Sequence, residues 1–299
     1  NGVVAAMANH DQSRVATQFH PEVAHTEEGE TLLNNFLFNI ADCSPKWTAE
    51  NFIDEQVEII RDQVGDGKVL VGVSGGVDST VVAALMHRAI GERSTAVLID
   101  HGLMRKNEAK NCVSALKDGL KVNIHCYDES NIFLSKLSDI TDPEEKRKII
   151  GNQFIYSFDR ISGELGEMQF LAQGTLYPDV IESGVSKGKS AHMIKSHHNV
   201  GGLPKNMTFE LVEPLRELFK DEVRKVGREL GLPESLINRH PFPGPGLAVR
   251  IIGEITEERI AILQDADQIY IDILHEDGIY NNIWQAFSVL IPVKTVGVM

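Results

Sequence analysis

Val69, Leu70, Val71 and Val73 are apolar, with only Gly72 between them, so the run predicts a strand buried on both faces, as in a parallel sheet. Beyond Ser74-Gly75-Gly76, the apolar positions Val81, Val82, Leu85, Met86 and Ala89 fall on a 3.6-residue period and predict a helix. The same reading gives helices at 31–40, 47–64, 107–116, 220–230 and 256–274, the last opened by Thr256 as its cap. Strands are expected at 13–19, 95–100, 122–127 and 168–174, a short one before Glu213, and two more at 249–253 and 286–293. Strands alternating with helices at this spacing predict an α/β fold, a doubly wound parallel sheet with right-handed crossovers.

The strand-glycine-helix junction carries the first chemistry. Two glycines let the backbone turn tightly against a ligand, and the first helical turn offers unbonded amides and the positive end of the dipole. The hydroxyls of Ser74, Ser79 and Thr80 add donors, so the stretch Ser74, Gly75, Gly76, Val77, Asp78, Ser79, Thr80 suits a phosphate chain. A carboxylate among phosphates needs a cation between them, or else caps the helix; Asp78 is therefore a candidate Mg²⁺ contact. The loop lacks the lysine of a Walker A motif, and Gly184 to Ser190 matches that motif only with one residue too few between its glycines.

Composition narrows the partners. The 299 residues are 42% hydrophobic, enough for a sizeable core, and carry 29 basic against 43 acidic side chains, a net charge of −14. Such a balance repels nucleic-acid backbones and anionic membranes, so neither is expected as a partner. Cys43, Cys112 and Cys126 are too few and too irregularly spaced for a disulfide frame or a zinc cluster, which fits a reducing, cytoplasmic setting.

Several further residues invite roles. His20 and Glu22 end the 13–19 strand and can form a base with its orienting carboxylate; on the residues alone, a structural role serves equally well. The Asp100-His101-Gly102 turn should flank the nucleotide at a strand's carboxyl end, with His101 a surface turn residue. Pro143 to Lys148 opens a helix with a charge run, expected as a solvated face with a Glu144–Lys148 pair, or as three adjacent cations gripping a phosphate, Arg147 first among them. Residues 174–204 read as a long lid carrying Asp179, Glu182, Lys187, Lys189, Lys195, His197 and His198, and the adjacent His197 and His198 suit phosphate or substrate contact better than a metal. His240 to Gly246, with three prolines and two glycines, reads as a linker or a shaped binding turn.

The SGGVDST loop resembles the pyrophosphate loop of the ATP pyrophosphatases, and the HPE at 20–22 resembles the end of a class I glutamine amidotransferase domain. Together with EEKRKIIG, QGTLYPDVIES, IKSHHNVGGLP and HPFPGPGL, in that order, the chain resembles the glutamine-hydrolysing GMP synthase family over nearly its whole length. The resemblance implies an adenine nucleotide alpha hydrolase-like sheet flanked by partial domains: an amidotransferase remnant at 1–44, a synthetase domain at 45–240, and the start of a dimerisation domain at 241–299. It implies ATP-dependent adenylation of xanthosine monophosphate (XMP), then amination with ammonia from glutamine, in a family of homodimers. Residue by residue, 74–80 would hold pyrophosphate, Asp78 its Mg²⁺, and Arg147 the XMP phosphate. Asp179 and Glu182 would lie near the base and the ammonia entry, and Lys195 would stabilise charge on the forming adenylyl phosphate. His20 and Glu22 would belong to the glutaminase triad. The start at Asn1, and an end at Met299 before the family's C-terminal lysine-bearing segment, lead to the expectation of a fragment with doubtful dimerisation. The alternatives are another ATP pyrophosphatase, such as NAD synthetase or a tRNA thiolase, and a catalytically silent ATP-binding module.

Overall fold

The computed structural model describes residues 4–11, 13–23, 25–184 and 209–293, apart from the side chains of 182–184. It divides into two compact units, Asn1–Thr48 and Ala49–Met299.

In the first unit, strands β1 (Ala6–Ala8) and β2 (Val15–Thr17) pair antiparallel with Met7 opposite Ala16. Helix α1 (Gly29–Asn34) follows and continues as a π-helical turn over Asn35–Ile40. It starts two residues ahead of the expected 31–40 helix, at Gly29, where a Cβ would sit 2.0 Å from the carbonyl oxygen of Pro21. Gly29 is the one buried residue among those described in this unit, and Met7, Val15, Phe19, Leu37, Phe38 and Ile40 are exposed.

The second unit opens with α2 (Ala49–Val64), whose Ile53, Val57, Ile60 and Val64 are buried at helical spacing, as their pattern predicts. Then come β3 (Val69–Val73), α3 (Val77–Ile90), β4 (Ser94–Asp100), α4 (Glu108–Ser114), β5 (Ile124–Asp128), α5 (Ser130–Lys136) and α6 (Pro143–Glu164). Pro143 at the first helical position and Asp142, whose carboxylate accepts from the Glu145 amide at 2.8 Å, start α6. The chain continues through β6 (Phe170–Ala172), α7 (Tyr177–Gly184), β7 (Glu210–Val212), α8 (Lys220–Glu229), α9 (Glu234–Ile237) and α10 (Glu257–Glu276). Thr256 caps α10, accepting from the Arg259 amide, in the role its sequence position suggests.

The five strands β3 to β7 form one parallel sheet in the order β5-β4-β3-β6-β7, with Val69 opposite both Ser94 and Phe170. This is the doubly wound α/β architecture expected from the alternating pattern. Successive side chains of β3 serve opposite faces. Val69, Val71 and Val73 pack with α2, α3, α4, α8 and α9, while Leu70 packs with α5, α6, α10 and residues 247–255. The strand order reverses between β3 and β6, and at such a switch point the carboxyl ends of the strands open a crevice.

Three expectations need correction. The 174–204 stretch is not loop throughout: α7 occupies its first part, capped by Asp179, whose carboxylate accepts from the Leu176 amide at 2.9 Å. Residues 249–253 and 286–293 are not strands. Gly246–Arg250 is a 3-10 turn, followed by a single parallel bridge between Ile251 and Leu290. In the first of these segments the carbonyls of Ala248, Ile251 and Gly253 are taken by the ammonium of Lys146 in place of a strand neighbour.

Candidate functional site

The crevice at the switch point is built on the junction of β3 and α3. Gly75 sits at φ +77°, a conformation costly for any residue with a Cβ. Gly76, extended, is the last residue before the helix, and its carbonyl accepts the Thr80 amide at 3.1 Å. The amides of Val77, Asp78 and Ser79 in the first turn have no carbonyl within the helix to bond. Ser79 closes the loop: its hydroxyl accepts from the Ser74 amide and lies 3.1 Å from the Ser74 hydroxyl. Thr80 departs from its expected place among the donors. It is fully buried, and its hydroxyl donates to the Gly76 carbonyl at 2.8 Å, so it fixes the turn from beneath.

Asp78 does not cap α3, since Gly76 holds the cap position. One of its oxygens accepts from Lys220 Nζ at 2.7 Å, and the other is buried without a hydrogen-bond partner among the described residues. A carboxylate with one orphaned oxygen at a phosphate loop fits Mg²⁺, which characteristically takes one or two protein carboxylates and completes its shell with phosphate oxygens and water. Gly174, just beyond β6, forms the opposite wall: a Cβ there would lie 3.2 Å from Asp78 Cβ and 3.3 Å from the Ser79 amide nitrogen. Thr175 donates to Glu213 at 2.5 Å, tying the ends of β6 and β7 together.

Behind the loop lies a charged cluster that the sequence pattern did not single out. Arg239 donates to the Gly75 carbonyl and pairs with Glu108. Burial pushes the Glu108 carboxyl above its ordinary pKa, against the pull of Arg239 and Arg105. Arg105 pairs with the buried Asp267 at 2.9 Å. The guanidinium groups of Arg105, Arg239 and Arg250 all lie within 5.4 Å of the Phe242 ring centre. The proline-rich segment is thus a packed turn that presents an aromatic ring to three arginines. Its His240 stacks on Tyr280 with ring centres 3.8 Å apart; Nδ1 accepts from the Ala286 amide, so Nε2–H donates to the Tyr280 carbonyl.

His101, expected at the surface, is buried. It packs against Phe133 and Phe154, its Nδ1 accepts from the Leu103 amide at 3.0 Å, and burial pulls its pKa down to about 4. Leu103 in turn accepts the Leu247 amide at 2.7 Å, so the turn after β4 is a packed corner.

The three adjacent cations of α6 do not act together. Lys146 is fully buried among backbone carbonyls, whereas Arg147 is exposed and paired with Glu144 at 3.2 Å, where the pattern suggested a Glu144–Lys148 pair. A helix turns about 100° per residue, so neighbours in sequence face different surroundings. No contact among the described residues joins Arg147 to the loop. Asp179 stands at the start of α7, near the carboxyl end of β6 in sequence; the Glu182 side chain lies outside the described residues, as do Lys187, Lys189, Lys195, His197, His198 and the 184–190 near-match to Walker A. In the first unit, His20 Nδ1 lies 2.9 Å from a Glu22 carboxylate oxygen, both side chains exposed, and Cys43 is an exposed free thiol.

Two family models match the chain: glutamine amidotransferase class-I over residues 1–40 and NAD synthase over residues 48–152. The second spans the phosphate loop and the start of α6. The chain is 54% identical over all 299 residues to the GMP synthase [glutamine-hydrolyzing] of Symbiobacterium thermophilum, covering 58% of that protein. It is 55% identical over 295 residues to that of Maridesulfovibrio salexigens, and 54% over 297 to that of Ehrlichia canis, covering 99% of this chain in both cases and 57% and 56% of those proteins. The chain therefore spans a little over half the length of the relatives it matches. With more than half its residues identical to theirs from end to end, the chain is similar to part of the glutamine-hydrolysing GMP synthases, with a segment like the amidotransferase model leading into the sheet that the NAD synthase model matches.

Proposed function

We propose that this chain carries the ATP pyrophosphatase part of a GMP synthase, with the end of the amidotransferase domain (1–44) before it and the beginning of a dimerisation domain (241–299) after it. The carrying observation is the 54% identity along all 299 residues to a GMP synthase, a stretch that includes the intact loop at the carboxyl end of β3. In this reading the xanthine O2 of XMP attacks the α-phosphorus of ATP, the bond to the bridging oxygen breaks and pyrophosphate leaves. Ammonia then attacks the activated carbon and AMP departs with the oxygen, giving GMP. The enzyme would work in the cytoplasm, as a homodimer in its complete form.

The loop 74–80 would receive the β- and γ-phosphates on the first-turn amides of α3 and the hydroxyls of Ser74 and Ser79. Asp78 would hold Mg²⁺, which would supply positive charge to offset that of the leaving pyrophosphate. Arg147, exposed and held in a surface pair, would exchange Glu144 for the XMP phosphate. Asp179 and Glu182 would flank the base and the ammonia entry, and Lys195 would stabilise the adenylyl phosphate as charge builds on it. His20 and Glu22, in hydrogen-bond contact, would serve glutamine hydrolysis as base and orienting carboxylate.

The test is release of AMP and pyrophosphate from Mg-ATP, with and without XMP, supplying ammonium chloride and then glutamine. XMP-dependent release with ammonium is the expected result. Release that ignores XMP would point to another ATP pyrophosphatase, and ATP binding with no AMP under any condition to a silent binding module.

A further inference from the structure

Arg239 stands immediately before the proline-rich turn and reaches back to the phosphate loop. Its Nη1 donates to the carbonyl of Gly75, and its Nη2 pairs with Glu108. Only 11% of the Arg239 side chain and 8% of that of Glu108 are exposed, so water cannot substitute freely for either partner. Glu108 is itself fixed by the Arg105 amide, which donates to its other oxygen at 2.9 Å. The fit is close. A Cβ on Gly75 would come within 3.1 Å of both Arg239 Nη1 and Glu108 Oε1.

The Gly75 carbonyl shares a rigid peptide plane with the Gly76 N–H, and in a trans peptide the two point in opposite directions. A guanidinium fixed on the carbonyl therefore fixes the N–H on the other side, toward the crevice. Among the described residues that N–H has only a long 3.4 Å contact with the Ser74 hydroxyl, so it remains a usable donor. A cation on the carbonyl also polarises the peptide and strengthens the N–H as a donor to an anion. Without it, the peptide at a φ +77° glycine is free to rotate, because glycine tolerates many alternative conformations.

We infer that Arg239, locked by Glu108, is a positioning residue of the phosphate loop, holding the Gly75–Gly76 peptide so that the Gly76 amide and the first turn of α3 face a polyphosphate. The inference rests on reading that loop as the ATP site. It also ties the loop mechanically to the next residues in the chain, since His240 is built into the Tyr280 and Ala286 packing and Phe242 lies under the Arg239 guanidinium.

The experiment is titration calorimetry of the full chain with Mg-ATP and, separately, with magnesium pyrophosphate, alongside thermal unfolding of every variant. Loss of a charged hydrogen bond predicts that Arg239→Met binds both probes more weakly by about thirtyfold. Arg239→Lys should recover part of this, because one ammonium can reach the carbonyl but cannot span Glu108 as well. Glu108→Gln should lose about tenfold by letting the guanidinium drift. A merely structural pair would lower the unfolding temperature and leave the affinity of the folded protein intact; wild-type affinity in folded Arg239→Met overturns the inference. If Arg239→Met does not fold, Arg239→Lys and Glu108→Gln decide by the same criterion. Absence of binding of either probe to the unchanged chain overturns the phosphate-loop reading itself, and this inference with it.

Discussion

Lys146 Nζ lies 2.8 Å from the carbonyl oxygen of Ile251, a partner 105 residues further along the chain. The same ammonium reaches the carbonyls of Gly253 at 2.5 Å and Ala248 at 3.3 Å, so one side chain satisfies three backbone groups of a segment that has no ladder of its own. Replacing it with methionine would leave those carbonyls short of a donor in an apolar setting. Lys146→Met is therefore expected to lose about 3 kcal/mol of stability, measured by urea unfolding. Arg147→Ala, one residue on, should cost no more than about 0.5 kcal/mol yet raise the KM for XMP if the proposed role is correct. Equal destabilisation by the two changes would sink this account of α6.

His101 should make stability depend on pH in mildly acid solution. Its folded-state pKa is about 4 against an unfolded value of 6.5. Between these values the unfolded chain binds a proton that the folded chain refuses, so unfolding is favoured as pH falls through the window and the full contribution is present above it. The loss amounts to about 3 kcal/mol at the foot of the window. His240, also lowered by burial, contributes with the same sign, and Glu108, raised by burial, with the opposite one. The difference between the unchanged protein and His101→Gln isolates the one group: its stability should lack this slope, as followed by thermal unfolding across the pH range.

Gly174→Ala should weaken nucleotide binding. The new methyl would press on the backbone of Asp78 and Ser79, at 3.3 Å from each, and a helical first turn has no rotamer with which to yield. A fall of about tenfold in Mg-ATP affinity is expected, equivalent to a strain of about 1.4 kcal/mol. Gly163→Ala, exposed in the last turn of α6 with open space around it, is the control and should stabilise by about 0.5 kcal/mol. Unaltered calorimetric affinity in Gly174→Ala would mean that ATP does not use this wall of the crevice.

Asp78→Asn should uncouple nucleotide binding from magnesium. In the unchanged protein, one carboxylate oxygen is taken by Lys220 and the other has no partner among the described residues, so a divalent ion is expected to tighten ATP binding by about tenfold or more. The amide cannot supply the charge. Titrations with and without magnesium should show the enhancement lost in the variant, and an enhancement that survives intact would remove Asp78 from the metal site.

Local pattern was sufficient for the parts of this protein whose cause is local. The valine run of β3, the glycines and hydroxyls that follow and the apolar period of α3 specify strand, loop and helix within some twenty residues, because burial periodicity and backbone freedom act at that range. The cap at Thr256 was legible for the same reason. The alternation of such units along the chain then set the parallel doubly wound sheet.

What only the tertiary structure decided is which polar groups meet. Arg239 finds Gly75 across 164 residues and Lys220 finds Asp78 across 142, and no periodicity links the members of either pair. His101 and Lys146 have the composition of surface residues, and each is buried because other segments bring rings or carbonyls that satisfy it. The strand expected at 249–253 is likewise a segment whose carbonyls are taken by a distant ammonium, and it keeps a single bridge to Leu290. Desolvation makes an unpaired polar group costly wherever it is buried, but the partner that offsets the cost is supplied by the assembled fold.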